Sequence, residues 1–315
     1  MLNEVDQESL AGALPDVHGT DGAQRSLQMQ AVRDGLRKWP WSAYLFAVVV
    51  VFLYVPVLIA AGTRWLNTEQ YTHGVFIFPI SLAILYVKQR EIFACAKNPH
   101  AAGIVVLAFG LLMQVVSHYL NFEFFSMLSL IPVLAGGILI FHGVDLWRVV
   151  RFPILFLGFA ANLPGVVLGA PSRWIQSVSA TGAATATKLV GFTIMQHGNL
   201  LDVPGMTLEV ADVCSGFRKL TALVVFAVLY GYLFPISNAR RLMLVAAVVP
   251  IAIVVNIARL CVLIAASSWG GPKAEAFLHN PAEFAVLVAA FLLTLRAGKI
   301  LGCSEPRFSL FSPSS

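Results

Sequence analysis

A single cysteine stands at the entrance to a long apolar segment, in the stretch EVADVCSGFRKL, residues 209–220. The apolar pattern that follows predicts a helix beginning close to Cys214. The first amides of a helix are unpaired and carry partial positive charge, which stabilises a thiolate, the nucleophilic form of cysteine. The amides of Ser215 and Gly216 are also able to donate hydrogen bonds to an oxyanion. Taken alone, however, a small cysteine in an apolar helix is more often a packing residue.

An arginine inside the next apolar segment adds a second reactive group. In PIAIVVNIARL, Asn256 and Arg259 are three residues apart and therefore share one face of the predicted helix. A charged arginine within a span costs at least about 2.5–3.5 kcal/mol, so a functional or paired role is the default. No acidic residue lies inside the predicted spans except at their rims, which disfavours a buried ion pair.

A histidine comes just before the last apolar segment, in WGGPKAEAFLHNPAEF. His279 is predicted to lie on the same side as Cys214, and three successive spans bring both residues near Arg259. A cysteine and a histidine are the minimal pair of nucleophile and base, and an arginine binds a carboxylate or an oxyanion. Asp212 and Glu283 are candidates for orienting the histidine or the arginine. Together these residues predict a nucleophilic site at one rim of the helices.

The composition indicates that membrane helices carry these residues. Of the 315 residues, 58% are hydrophobic and 12% are charged, and soluble domains have about 25% charged residues. The apolar blocks are about 20 residues long, the length that crosses a bilayer core. The sequence predicts an all-α polytopic membrane protein with about eight transmembrane helices. They are predicted at residues 43–62, 73–88, 101–118, 127–142, 152–169, 213–234, 242–268 and 281–297.

The other segments divide the chain into three regions. Residues 1–40 are polar and lack an apolar period, which predicts a disordered cytoplasmic tail. The membrane domain then covers residues 41–300, and a second cytoplasmic tail covers 301–315. Segment 171–195 is rich in Ala, Ser and Thr and is predicted to be an interfacial or partly inserted helix. Within 198–213, LLDV and MTLEV flank a Pro-Gly turn, which predicts a small extracytoplasmic hairpin leading to the cysteine.

The charge distribution predicts how the helices are oriented. Most of the 21 Lys and Arg residues lie in the two tails and in alternate connections. By the positive-inside rule both termini are cytoplasmic, and the reactive groups face the outer side. The net charge of +5 comes without a basic patch interleaved with aromatic residues, so nucleic acid is not an expected partner. The four cysteines include no CxxC pair, and neither a metal nor a cofactor is predicted.

The order of several stretches resembles the exosortase/archaeosortase family of multipass membrane cysteine transpeptidases, in its bacterial exosortase form. These stretches are YTHGVFIFPISLAILYV, FPILFLGFAANLPG, GMTLEVADVCSGFRKL and PIAIVVNIARL, followed by the late histidine. They run from about residue 65 to 297. The most specific combination is Cys-Ser-Gly after the acidic hairpin, with Asn-x-x-Arg further along the chain.

The resemblance implies a role for each matching residue. Cys214 would be the nucleophile, Arg259 would polarise the carbonyl in the transition state, and His279 would act as general base and acid. Asn256 and His73 would position the substrate, and Arg218, with Lys219, would meet an acidic motif in it. The proline-rich segment expected near residues 162–167 contains one proline, in NLPGVV, which bears on the subtype.

The resemblance also implies a substrate class and a location. Exosortases of this kind cut a C-terminal sorting signal on exported proteins, composed of a Pro-Glu-Pro-like motif, a membrane helix and a basic tail. Cleavage would occur at the periplasmic face of the bacterial inner membrane, among membrane lipid. The resulting thioester would pass to an acceptor nucleophile, and the family accompanies exopolysaccharide gene clusters.

Two other classes of function stay open at this point. In a transporter, Asn256 and Arg259 would line a path and the prolines within spans would break helices, although no internal repeat is visible. In a non-catalytic component of exopolysaccharide assembly, the same residues would serve packing. Both alternatives predict that Ser or Ala is tolerated at Cys214, whereas a cysteine peptidase does not tolerate either.

Overall fold

The computed structural model describes residues 40–68, 71–203, 206–210 and 217–304. Its first helices are α1 (Trp41–Asn67), α2 (Gly74–Val87), α3 (Gln89–Ala94), α4 (Ala102–Tyr119), α5 (Glu123–Leu128), α6 (Leu130–Phe141) and α7 (Val144–Phe156). A 3-10 turn at Leu157–Ala160 follows, and then come α8 (Gly165–Leu189), β1 (Met195–His197), β2 (Leu200–Val203), β3 (Met206–Glu209) and α9 (Phe217–Leu233). The last two helices are α10 (Asn238–Gly271) and α11 (Lys273–Ile300).

The protein is a mostly helical, multi-pass membrane protein, but the count of eight spans is not reproduced. Five helices in the described part of the chain are long and apolar enough to cross a bilayer: α1, α4, α5 with α6, α10 and α11. Gly74–Val87 and Leu220–Leu233 are apolar but shorter. They correspond to the second and sixth predicted spans.

The fifth predicted span, at residues 152–169, is wrong as a continuous helix. Helix α7 ends at Phe156, a 3-10 turn covers Leu157–Ala160, and the chain is non-helical up to Pro164. Proline disfavours helical dihedrals in the residue before it, so Pro164 keeps Leu163 non-helical and prevents α8 from extending back toward α7. Pro164 itself is extended, with φ −61° and ψ 142°, and α8 begins directly after it.

The connection between the last two spans is also shorter than predicted. The sequence places a loop at residues 269–280, whereas the structure has helix on both sides of Gly271. Gly271 has φ 68° and ψ −166°, a combination that is essentially restricted to glycine. Helices α10 and α11 therefore reverse direction within one residue, and His279 lies on a helix instead of in a loop.

Two compact units can be distinguished by contacts within the chain. The first contains the described residues up to Ala60 and Ile77–Gly158, and the second contains Ala61–Phe76 and the described residues from Phe159 onward. In the first unit, α4 and α6 run antiparallel in close contact. Gly110 and Gly136 allow this approach, because a Cβ at either position would meet the facing backbone. Buried hydroxyls of Ser126 and Ser129 donate to Gln114 Oε1 beside this contact, at 2.7 and 2.9 Å.

The second unit is built around α10 and α11. One core contains buried side chains from α9, α10 and α11, among them Leu223, Val255 and Val286. A second core joins α8 and the strands to the C-terminal half of α10. Its buried residues are Ala180, Ala183, Ala184, Ile194, Leu201, Val203, Val210, Leu260 and Ile264. Strand β2 pairs antiparallel with both β1 and β3, which gives a three-stranded sheet.

Candidate active site

Arg259 is buried inside the second unit and faces the helix that follows it. Its side chain has no exposed surface, and Nη2 lies 3.2 Å from His279 Nε2 and 3.6 Å from Glu283 Oε2. Residues twenty apart on one straight helix would be separated by roughly 30 Å, so the reversal at Gly271 creates this contact. The acidic residue at the rim of the last span is thus an ion-pair partner of Arg259, contrary to the sequence argument against such a pair.

His279 makes a second contact on the opposite side of its ring. Nδ1 lies 3.0 Å from Glu275 Oε1, one helical turn earlier on α11. Glu275, His279 and Glu283 are four residues apart in series and form one stripe along the helix. His279 and Glu283 of that stripe contact the Arg259 guanidinium directly, and Glu275 contacts the far side of the imidazole.

The tautomer of a neutral His279 ring follows from the chemistry of its neighbours. Arginine has only hydrogen-bond donors, so Nε2 of the histidine must accept the bond from Arg259. The proton of the neutral ring is then on Nδ1, which donates to the Glu275 carboxylate. In this arrangement Nε2 has a lone pair, which is the requirement for a general base.

Several donors on α10 have no partner in the described part of the molecule. They are Nε and Nη1 of Arg259, and both side-chain amide atoms of Asn256 are buried without a hydrogen bond as well. Asn256 is completely buried, one turn before Arg259. Because unsatisfied buried polar groups are costly, such groups in a native structure call for an explanation. A peptide backbone would supply the missing carbonyl and amide partners.

The sheet brings the chain to this part of α10. Val210 is buried in the same core as Leu260 and Ile264, which follow Arg259 on α10. The sheet is also fixed to α8, since Asn199 Nδ2 donates to Gln176 Oε1 at 2.8 Å. On the other side of residues 211–216, Leu220 packs against the core containing Val255. One flank of that segment thus shares a core with Leu260, and the other packs against a core that includes Val255.

The neighbourhood of His73 has a clear packing function. A Cβ at Gly74 would overlap the indole of Trp65, so the glycine allows α2 to begin against that ring. The indole Nε1 donates to Ala160 O at 3.0 Å and to Asn162 Oδ1 at 3.1 Å. The segments YTHG and FAANLPG are thereby tied together. His73 itself is half-buried just before α2.

Three of the predicted site residues can be located together, and others cannot. The structure brings Asn256, Arg259 and His279 to one region of α10 and α11. Cys214 and Asp212 lie outside the described residues, and so do the side chains of Arg218 and Lys219. Within the ranges that are described, no three metal-ligating side chains converge.

Comparison with known proteins adds the family. The model of the transmembrane exosortase family matches residues 65–296, almost three quarters of the chain. The chain belongs to this exosortase family. Neither the curated proteins nor the solved structures gave a match.

The matched region of this exosortase includes every residue of the cluster described above. It also includes Glu275, which the sequence argument missed because it assigned residues 269–280 to a loop. Had that segment been treated as a helix, a carboxylate four residues before His279 would have been an obvious partner. The signal was present in the sequence, but the late start predicted for the last span, at residue 281, concealed it.

Proposed function

We propose that this exosortase is a membrane-embedded cysteine peptidase and transpeptidase that cleaves C-terminal sorting signals of exported proteins. Cys214 would be the nucleophile, His279 the general base and acid, and Arg259 the group that stabilises the oxyanion. The observation that carries the proposal is the contact between Arg259 Nη2 and His279 Nε2, 3.2 Å, formed by a fully buried guanidinium. A base and an oxyanion donor side by side are the parts that a thiol nucleophile needs.

Chain connectivity supports Cys214 as the third member. Residue 214 is four residues after Val210, so their Cα atoms are at most roughly 14 Å apart. Val210 shares its buried core with Leu260, the residue next to Arg259. This short connection supports the proposal that the thiol acts together with the arginine and histidine pair.

The reaction would proceed through a thioester. His279 Nε2 takes the proton of the Cys214 thiol, and the sulfur attacks the scissile carbonyl carbon. The oxygen that becomes negative is stabilised by the Arg259 guanidinium, whose Nε and Nη1 have no described partner. When the C–N bond breaks, His279 returns the proton to the leaving amine. An acceptor nucleophile or water then releases the acyl group.

Binding of a carbonyl would also free the base. In the structure, Nε2 of His279 accepts a hydrogen bond from Arg259, so its lone pair is occupied without substrate. A substrate carbonyl that attracts the guanidinium would release that lone pair for the thiol proton. Asn256, buried one turn away, would bind the adjacent backbone.

The substrate would be anchored by its own membrane helix beside α9, α10 and α11. Its scissile bond would then lie at the bilayer surface, on the periplasmic side of a bacterial inner membrane with both termini of the enzyme cytoplasmic. The acidic residue of a Pro-Glu-Pro-like motif would meet Arg218 and Lys219. The support for this part is the family membership and the positive-inside pattern.

The test is cleavage of a reporter that ends in a tripartite tail with a Pro-Glu-Pro motif. It is co-expressed with the wild-type enzyme or with Cys214→Ala, and the C-terminus is read by mass spectrometry. We expect loss of the tail with the wild type only. A tail removed equally with both would contradict the proposal, and so would an intact tail when the reporter carries the tail of a protein encoded beside this enzyme.

A further inference from the structure

The carboxylate of Glu275 is largely shielded from solvent and is hydrogen-bonded to His279. Its side chain is 15% exposed, less than the 30% of His279, and the two atoms in contact are 3.0 Å apart. A solvent-exposed pair of this spacing would contribute little. Here the pair adjoins a fully buried guanidinium, in a region where screening by water is weak.

The atoms form a connected series across the histidine. Glu275 Oε1 contacts Nδ1, and Nε2 on the far side of the ring contacts Arg259 Nη2. The carboxylate only accepts hydrogen bonds when ionised, and the guanidinium only donates them. Both ends therefore favour the same tautomer, with the proton on Nδ1 and the lone pair on Nε2.

We propose that Glu275 is a positioning residue that holds His279 in the tautomer able to accept the thiol proton. The inference rests on the proposed function of His279 as the base. With the proton on Nε2 instead, the ring could not accept a proton there and would direct an N–H at the donors of Arg259. A carboxylate that accepts from Nδ1 removes this unproductive state.

The same carboxylate has a role after proton transfer. When Nε2 accepts the thiol proton, the ring becomes an imidazolium, with the Glu275 carboxylate in hydrogen-bond contact with Nδ1. The charge of Glu275 stabilises this cation, while the Nδ1 proton stays on the ring. The proton on Nε2 then moves to the leaving amine, so Glu275 acts only through His279 and never contacts the reacting atoms.

The experiment measures kcat and KM of the purified full-length enzyme on the tripartite reporter in lipid vesicles. The variants are Glu275→Gln, which keeps an acceptor oxygen, and Glu275→Ala, which removes it. Each is made in the wild-type background and in a His279→Ala background, with mass spectrometry over hours to follow slow cleavage. Glu91→Gln is the matched control, because it removes the carboxylate of an exposed i,i+3 ion pair with Lys88.

We expect Glu275→Ala to lower kcat about 10- to 100-fold, by analogy with the loss when the partner that orients a metal-binding histidine is removed. KM should be unchanged, since the interaction matters in the transition state. Glu275→Gln should lose less than Glu275→Ala. In the His279→Ala background neither change should lower the rate further, because no ring remains to be oriented.

Two results would overturn the inference while leaving the proposed function standing. One is a wild-type kcat for Glu275→Ala, and the other is an equal loss of rate with and without His279, which indicates a structural role. If Cys214→Ala, run in parallel, still cleaves the reporter, the proposed function itself fails. The Cys214→Ala result thus separates the two failures.

Discussion

Arg259 and His279 are twenty residues apart in the chain, yet their side-chain nitrogens meet at 3.2 Å across the reversal at Gly271. The contact joins the interior of one membrane-spanning helix to the second turn of the next. It turns an arginine that would be costly in a bilayer into a group with a defined neighbour.

Replacing Arg259 by lysine should abolish most of the activity although the charge is kept. Lysine has one ammonium group and cannot reproduce the planar set of donors at Nε, Nη1 and Nη2. Loss of one oxyanion donor costs about 10²–10³ in kcat. The measurement is the rate of reporter cleavage, with the amount of folded enzyme checked by size-exclusion chromatography. A lysine variant with wild-type kcat would show that the guanidinium does not serve the transition state.

Asn256→Leu should leave stability unchanged or raised while it weakens catalysis. The amide of Asn256 is fully buried, and its atoms make no hydrogen bond in the described structure. An isosteric apolar side chain removes that desolvation cost. If the amide binds substrate backbone, kcat/KM falls.

The control for Asn256 is Thr294→Val, at another fully buried position, where the hydroxyl donates to Ala290 O at 2.8 Å. Both variants are compared by thermal unfolding and by reporter cleavage. A destabilised but fully active Asn256→Leu enzyme would assign this residue to structure.

Gly271→Ala should destabilise the packing of α10 against α11, the two helices that carry Arg259 and His279. A side chain in the backbone conformation of Gly271 costs about 1–3 kcal/mol. The comparison is Gly62→Ala, where an added Cβ has nothing within 4 Å and the helical backbone accepts alanine. Thermal unfolding in detergent measures both. Equal melting temperatures would mean that the reversal tolerates an alanine.

Trp65→Phe should destabilise the second unit without preventing chemistry at the cysteine. The indole N–H bonds Ala160 O and Asn162 Oδ1, and phenylalanine fills the space beside Gly74 but leaves these acceptors unpaired. An unsatisfied buried acceptor costs about 1–3 kcal/mol. Limited proteolysis reports the loss. If Trp65→Phe resists the protease as well as the wild type does, the indole hydrogen bonds to Ala160 and Asn162 contribute nothing to stability.

Alkylation by iodoacetamide at neutral pH should modify Cys214 before the cysteines at the ends of helices. Burial, followed by the carboxylates of Asp145 and Glu91, raises the pKa of the Cys95 thiol. Burial also raises the pKa of Cys303, against a smaller opposing effect of Arg241. Fewer of these thiols are ionised at neutral pH, so their modification should accelerate as the pH rises.

Peptide mapping of this alkylation, with Cys214→Ala as the control, identifies the fast thiol. In that variant the rapid phase at neutral pH should be missing. If Cys95 or Cys303 reacts first, the helix-start argument for a reactive Cys214 fails.

The sequence predicted which segments are helical better than it predicted where each helix begins and ends. Long apolar runs such as α1, α4 and α10 were predicted because hydrophobic length is a strong signal for a span. The break at Leu157–Ala160 was missed, since the segment stays apolar through the change from α-helix to 3-10 turn. Hydropathy averages over such a change in backbone conformation.

The site was predicted in part for a related reason. Asn256 and Arg259 were recognised from their spacing on one helix face, which requires only the helical period. Glu283 was left as one of two alternatives. Glu275 was missed because the last helix was predicted to begin at residue 281, whereas α11 begins at Lys273. That start depends on a glycine in an unusual conformation, which no average over composition reveals.

The tight reversal at Gly271 has a consequence for biogenesis. Helices joined by a single non-helical residue have to enter the bilayer as one hairpin, since neither can be inserted far from the other. Arg259 would then acquire its carboxylate partner Glu283 during insertion and would not wait in lipid as a lone cation. A ribosome that stalls before residue 283 would leave that arginine uncompensated, so quality-control proteases would be expected to remove the truncated chain. The arginine that we assign to catalysis would thus depend on the last helix for its entry into the membrane.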